Sequence, residues 1–511
     1  MRRRMGFILV AFTALIASLL QAPAATASAQ RTITWEPCPE DATVDCGKLT
    51  LPIDWSNPQG PTFEFAVARR KATNPAARIG SLVYQPGGPG GSGVQDVLAN
   101  YLPFTPELAS RFDIVGIDPR GVGRSQPVLC SMDLLLQAPQ TVLKNQADFD
   151  AVVAFNTKRR EDCRTRTGPM FDHVDTLNVA HDLEALREAL GDDKLTYYGI
   201  SYGTLIGQIY AERYPGRVRA LGLDANMDHS IGTRAFLDQE SWALEDSFTE
   251  FVAWCGRTPS CALHGRDVKA VWADLYGRAE RGELHAPGDP TLPITPLVLS
   301  YEVMIAGYVP SWAQLASVLA MLADGTGNAP MKAKPFTTTS EAVPYPLEIF
   351  CQDWQLPIRN YREYARHVKR SKAIAPNTRF SPLAFETVTS CLGHPSPIDN
   401  PQRRLRVDGT PTLLLGSSLH DPATPYPWSV STARQIGREA RLLTYEGWGH
   451  GAYPRSACAA EVFDRYLTDL VVPPRGSRCP AVPPAEVSTR SAVPAPLNGP
   501  LPGLPGWTLG S

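Results

Sequence analysis

The chain has no excess of charge to spend on a charged partner. Its 49 basic and 51 acidic side chains leave a formal charge of −2. The concentrated basic footprint that nucleic acid or an anionic lipid surface requires is missing. Metal-ligand spacing is missing too. No C-x-x-C or H-E-x-x-H occurs, and the nine histidines form no cluster, so neither a metal nor a cofactor is expected. Beyond the first thirty residues no apolar run approaches the ~20 residues that span a bilayer. The mature chain is therefore expected to have no membrane anchor.

What is present begins with an export signal. Arg2, Arg3 and Arg4 precede an apolar run from Gly6 to Leu20, and Ala27-Ser28-Ala29 fits an A-x-A cleavage site. A run of 15 residues is short for a span, so residues 1–29 read as a signal peptide cut after Ala29, and the protein as secreted. Loss of three arginines and no acid then lowers the formal charge to −5. Ten cysteines fit that compartment. They fall in neighbouring pairs, Cys38 with Cys46, Cys130 with Cys163, Cys255 with Cys261, Cys351 with Cys391 and Cys458 with Cys479. Sequential pairing is the simplest expectation, with nested or crossed connectivities left open.

From Cys46 to Asn226, short apolar strands alternate with amphipathic helices. "GSLVYQP" and "FDIVGIDP" read as buried strands bounded by glycine and proline. "DTLNVAHDLEALREALG" places Leu177, Ala180, Leu183, Leu186 and Leu190 at helical spacing. This alternation predicts an α/β fold with a mostly parallel sheet, in a first part spanning 30–228. Between 229 and 400 helical patterns dominate and read as an inserted cap. The α/β texture resumes over 401–471. Residues 472–511, rich in proline and glycine without periodicity, read as a tail held at most through Cys479.

Chemistry is suggested first by "GISYG". Ser201 lies between Gly199 and Gly203, after a predicted strand and before a predicted helix, the setting that a nucleophile elbow needs. A serine hydroxyl needs a base, and His450 in "GWGHG" follows the last predicted strand. An acid must fix the tautomer of that base. Asp421 follows the preceding strand and is the first choice, with Asp224 as runner-up. Thr424 is placed either to bond the Asp421 carboxylate or to turn its loop. The order Ser201, Asp421, His450 is that of an α/β-hydrolase. In "QPGGPGGSG", Gly88 is assigned one oxyanion N–H and Tyr202 the other. A nucleotide-binding glycine loop competes with that assignment, but no G-x-x-x-x-G-K-[ST] accompanies it.

Together "PGGPGGSG", "FDIVGIDPRGVGRSQP", "GISYGTLIGQIYAERYP", "GTPTLLLGSSLHDPATP" and "GWGHG" resemble the secreted actinobacterial tripeptidyl aminopeptidases. These are α/β-hydrolases with a helical cap, related to prolyl iminopeptidases. The resemblance runs from about 35 to 480. Where relatives often begin the first motif with histidine, this chain has Pro86. The resemblance implies release of short peptides from a free N-terminus, and hence a cap carboxylate for the substrate ammonium. Asp353 in "CQDW" is the candidate because similar C-x-D segments occur in relatives; Glu240 and Glu245 are alternatives. Esterase-like members of the family keep a carboxylesterase or lipase reading open, and a non-catalytic binding protein on the same scaffold is the third. The sequence gives no indication of oligomeric state.

Overall fold

The computed structural model describes residues 32–286, 289–325, 333–335, 340–484 and 507–509. The signal segment lies outside them. One sheet of ten strands organises the chain: β1 (Thr34–Pro37), β2 (Asp45–Pro52), β3 (Thr62–Arg70), β4 (Gly80–Gln85), β5 (Phe112–Ile117), β6 (Leu195–Ile200), β7 (Val218–Asp224), β8 (Leu413–His420), β9 (Ala440–Trp448) and β10 (Arg478–Cys479). Their spatial order is 1-2-3-5-4-6-7-8-9-10. β1, β2 and β3 pair antiparallel, and β3 meets β5 antiparallel. Every pairing from β5 to β10 is parallel. This is the α/β-hydrolase fold that the alternation predicted.

Both faces of the parallel part are buried, and the pleat divides them. Val83 and Tyr197 join the larger core, while Leu82, Tyr84 and Tyr198 join a second one with Leu414, Leu443 and Phe463. Adjacent residues reach opposite faces because strand side chains alternate. The covering helices include α1 (Gly93–Ala99), α3 (Thr176–Leu190) and α4 (Tyr202–Arg213), while α2 (Gln146–Thr167) packs beside the short strand Leu129–Ser131. α3 shows why its bounds were readable. The Asp175 side chain accepts from the N–H groups of Leu177 and Asn178, and Gly191 ends the helix in the left-handed region.

The segment between β7 and β8 is mainly helical: α5 (Thr233–Arg257), α6 (Val268–Glu280), α7 (Pro296–Tyr308), α8 (Trp312–Asp324), α9 (Leu347–Asp353), α10 (Tyr361–Ile374) and α11 (Pro382–Ser390). It is tied to the core by a short strand, Ala342–Pro344, paired with Leu129–Ser131. The Cys351–Cys391 disulfide joins α9 to the residue after α11. After β8 come α12 (Tyr426–Ile436) and α13 (Ala457–Asp469). All ten cysteines pair with their sequence neighbours. Among the described residues no helix is long and apolar enough to cross a membrane.

One expectation needs correction. Residues 472–511 do not all behave as an unpacked tail. Arg478 and Cys479 form β10 beside Thr444 and Tyr445, and Cys479 is buried and bonded to Cys458 on α13. Trp507–Leu509 pair with Ala333–Pro335. A two-residue strand has no periodicity to detect, so composition alone misread it. The rest of that segment beyond 484 lies outside the described residues.

Candidate active site

The carboxyl ends of the parallel strands converge on one cavity. Ser201 sits between β6 and α4 with φ 59° and ψ −125°, a conformation L-residues avoid. The flanking glycines make it possible. A Cβ at Gly199 would stand 2.6 Å from the Gly203 carbonyl oxygen, and one at Gly203 would stand 2.6 Å from the Gln85 carbonyl oxygen. The turn is held as well as permitted. The Ser201 N–H donates to the Asp224 carbonyl at 3.0 Å, and the Tyr197 hydroxyl donates to the Gly203 carbonyl at 2.7 Å. Because α4 begins at Tyr202, that N–H has no intrahelical acceptor, and the positive end of the helix faces Ser201.

The glycine loop after β4 wraps this turn. A Cβ at Gly87 would stand 2.9 Å from the Ser201 Cβ and 3.0 Å from the Tyr202 nitrogen. The N–H of Gly87 is occupied, because it donates to Gln85 Oε1. The neighbouring peptide at Gly88 lines the cavity with Ser201. Gly88, Gly90 and Gly93 do have G-x-G-x-x-G spacing, but the loop closes on a serine elbow rather than on an open phosphate site.

The loop after β9 carries His450. Its Nδ1 lies 3.0 Å from both oxygens of Asp421, and its N–H donates to the Tyr308 carbonyl at 2.9 Å. Asp421 also accepts from the N–H groups of Ala423 and Thr424 and from the Thr424 hydroxyl at 3.0 Å. Nε2 is buried without a hydrogen-bond partner, and the ring lines the same cavity of about 190 Å³ as Ser201. The Tyr308 ring, at the end of α7, stands 4.6 Å from the imidazole.

Asp224 holds a different position from Asp421. Its carboxylate accepts from the N–H of Ala452 at 2.9 Å, the N–H of Tyr453 at 2.8 Å and the Tyr198 hydroxyl at 3.0 Å. The runner-up acid thus anchors the far end of the His450 loop, and Asp421 meets the ring. Burial raises the Asp224 pKa, opposed by those three donors.

The cap carboxylates require a correction. Asp353 is fully buried and saturated. One oxygen accepts from the Thr176 N–H and Asn400, and the other accepts from the Thr176 and Tyr202 hydroxyls. Burial and nearby Asp175 push its pKa up to about 7. Such a group ties α9 to α3 and α4, and offers no free lone pair to an ammonium. Glu245 is committed likewise to the N–H groups and side chains of Asn377 and Thr378. Glu240 differs: among the described residues its one hydrogen-bond partner is the Ser381 hydroxyl, and it lies near enough to Asp421 and Tyr308 to interact with them electrostatically. Burial raises its pKa well above the usual carboxylate range.

Tyr308 and Arg455, which also lines the cavity, were missed in the sequence. α7 is buried on every side, so no periodicity marks its end. Arg455 had a signal, since it lies five residues after His450 in the same loop. Among the described residues no cluster of side chains is suited to a metal ion.

The family model for the alpha/beta hydrolase fold matches residues 80–282, and that for TAP-like proteins matches residues 376–479. The chain is 32% identical over 461 residues to the serine protease Hip1 of Mycobacterium tuberculosis, covering 85% of this chain and 87% of that one. It is 30% identical over 471 residues to the tripeptidyl aminopeptidase of Streptomyces lividans, covering 87% and 86%. Carboxylesterase B of Mycobacterium tuberculosis is 30% identical over 465 residues, covering 86% and 87%.

Proposed function

Because the chain belongs to the α/β-hydrolase family, in the branch with a TAP-like C-terminal part, we propose that it is an exported serine exopeptidase that releases short peptides, tripeptides foremost, from free N-termini. The supporting observation is the pairing of a strained Ser201 with His450 on one cavity, the imidazole backed by Asp421. Export is supported by the signal-like N-terminus and by five disulfides.

In this mechanism Ser201 Oγ attacks the peptide carbonyl carbon while its proton passes to His450 Nε2. Asp421 keeps the other ring proton on Nδ1 and stabilises the imidazolium. The carbonyl oxygen takes the negative charge between the N–H groups of Gly88 and Tyr202, each worth about 3 kcal/mol of barrier. Nε2–H then protonates the departing amine, leaving an acyl-enzyme. Water repeats the sequence, giving its proton to Nε2 and its oxygen to the acyl carbon, and Ser201 regains its hydrogen. Glu240 replaces Asp353 as the carboxylate for the substrate ammonium: among the described residues it accepts only from the Ser381 hydroxyl, and an arriving ammonium would favour the ionised form that burial otherwise disfavours.

A chromogenic tripeptide anilide tests the reading. Rapid release of the anilide from the free-amine substrate and slow release from its N-acetyl form are expected. Equal rates would overturn the N-terminal requirement. The similarity to carboxylesterase B supports a second reading, hydrolysis of small acyl esters at the same serine. Ester turnover without any anilide release would select it.

A further inference from the structure

The wall of the cavity formed by the His450 loop carries a cation that the mechanism does not use. Arg455 lines it together with Ser201, His450, Tyr101, Pro103 and Pro454. Its Nε is buried without a hydrogen-bond partner, and among the described residues the guanidinium forms no ion pair or hydrogen bond. Arg455 as a whole is only partly buried, but a buried donor left without a partner, as its Nε is, needs an explanation. Its pKa is lowered by burial.

The nearby acids cannot serve it. Asp224 is occupied by Ala452, Tyr453 and Tyr198, and Asp421 by His450, Ala423 and Thr424. The stem of Arg455 packs against the loop that carries His450. Its Cδ passes so close to Gly449 that a Cβ there would stand 3.2 Å away, and Gly449 has φ +103°. Beside it Tyr101 is 64% exposed, a large aromatic surface at the cavity mouth. An unpaired guanidinium beside an exposed aromatic ring suits a carboxylate-bearing amino-acid residue.

Direction follows from the proton path. His450 must deliver its proton to the departing amine, so the leaving portion of the peptide lies on the side of the His450 loop. Arg455 belongs to that loop, and of the residues lining this cavity only Tyr308 comes from the cap. Resting on the exopeptidase reading, we infer that Arg455 recognises a carboxylate on the first residue of the leaving group. The carboxylate is either the α-carboxylate of a single departing amino acid or an acidic side chain at that position.

The test compares kcat/KM for three substrates sharing one tripeptide: a tetrapeptide ending in free alanine, the same tetrapeptide amidated, and an amidated tetrapeptide ending in glutamate. At least one carboxylate-bearing substrate should exceed the alanine amide by about tenfold, the range of a charge-assisted hydrogen bond. Preference for the free acid assigns the α-carboxylate, and preference for the glutamate amide assigns the side chain. In Arg455→Gln that ratio should fall to within about twofold of one, and Arg455→Lys should keep part of it. A flat ratio in the unaltered protein, or a ratio that survives Arg455→Gln, overturns the inference. If Arg455→Gln does not fold, inhibition of anilide hydrolysis by free alanine against alaninamide decides in the unaltered protein: stronger inhibition by the acid supports Arg455, and equal inhibition refutes it. Failure of the exopeptidase reading would look different, because the tripeptide anilide itself would not be cut.

Discussion

The sheet side and the cap side of this cavity are built by different rules. On the sheet side each functional group follows a strand end within a few residues. Ser201 follows β6, Asp421 follows β8 and His450 follows β9. Backbone amides and close-packed glycines fix them: Gly199 and Gly203 shape the elbow, and Asp224 pins the loop beyond His450. On the cap side, Tyr308 reaches the cavity from the end of α7, and Glu240 lies buried near it on α5, both placed by helix packing alone. Attack on a carbonyl thus depends on local geometry, while choice of substrate depends on how helices happen to meet. The two sides should therefore fail differently when altered.

The largest effect should come from the elbow. Ser201→Ala removes the nucleophile and is expected to lower kcat by at least about 10⁴-fold, with folding intact by circular dichroism. Comparable anilide release by that variant would remove Ser201 from the mechanism. The two acids separate next. Asp421→Asn should cost about 10⁴ in kcat, because the amide favours the wrong imidazole tautomer. Asp224→Asn should cost far less in kcat, on the order of tenfold, and should lower Tm, since it loosens the anchor of Ala452 and Tyr453 without touching the ring. Equal losses would mean that the runner-up acid shares the chemistry.

That contrast also explains what was legible in advance. The parallel sheet, the elbow and the Asp421–His450 pair were visible because strand ends, glycine and loop position obey short-range rules. Helix α7 was not, since "PLVLSYEVMIAGY" is buried all round and shows no 3.6-residue face. Tyr308 was lost with it. Asp353 was misread for a related reason. A sequence shows the carboxylate, but not that Thr176, Tyr202 and Asn400, far apart in the chain, had already taken both its oxygens.

On the cap side, Glu240→Gln should act on recognition. The rate for the free-amine anilide is expected to fall about 10- to 100-fold in kcat/KM, the worth of a charged hydrogen bond out of water. The N-acetyl substrate, already slow, should lose much less, so the preference between the two should shrink. A preserved preference would assign the ammonium to another group. The readout is the ratio of the two substrates, which a general loosening of the fold would leave in place.

The smallest change to turnover, and a distinct change to stability, belongs to Asp353. Its folded pKa of about 7 stands above the ordinary aspartate value of 3.8, chiefly because burial disfavours the charge. A raised carboxyl pKa means that the folded state holds the proton more tightly than the unfolded chain. The stabilisation this gives is complete below about pH 4 and is lost as pH rises through about 7. Asp353→Asn keeps a neutral group of the same shape and removes the titration. The denaturant midpoint of the unaltered protein should therefore decline from pH 4 to pH 7 relative to that of the variant. A difference that stays constant across this window would mean that the donors from Thr176, Tyr202 and Asn400 keep Asp353 ionised. The bond between the cap helix and the Tyr202 side chain would then be a charged one, and Asp353→Asn would weaken it at every pH.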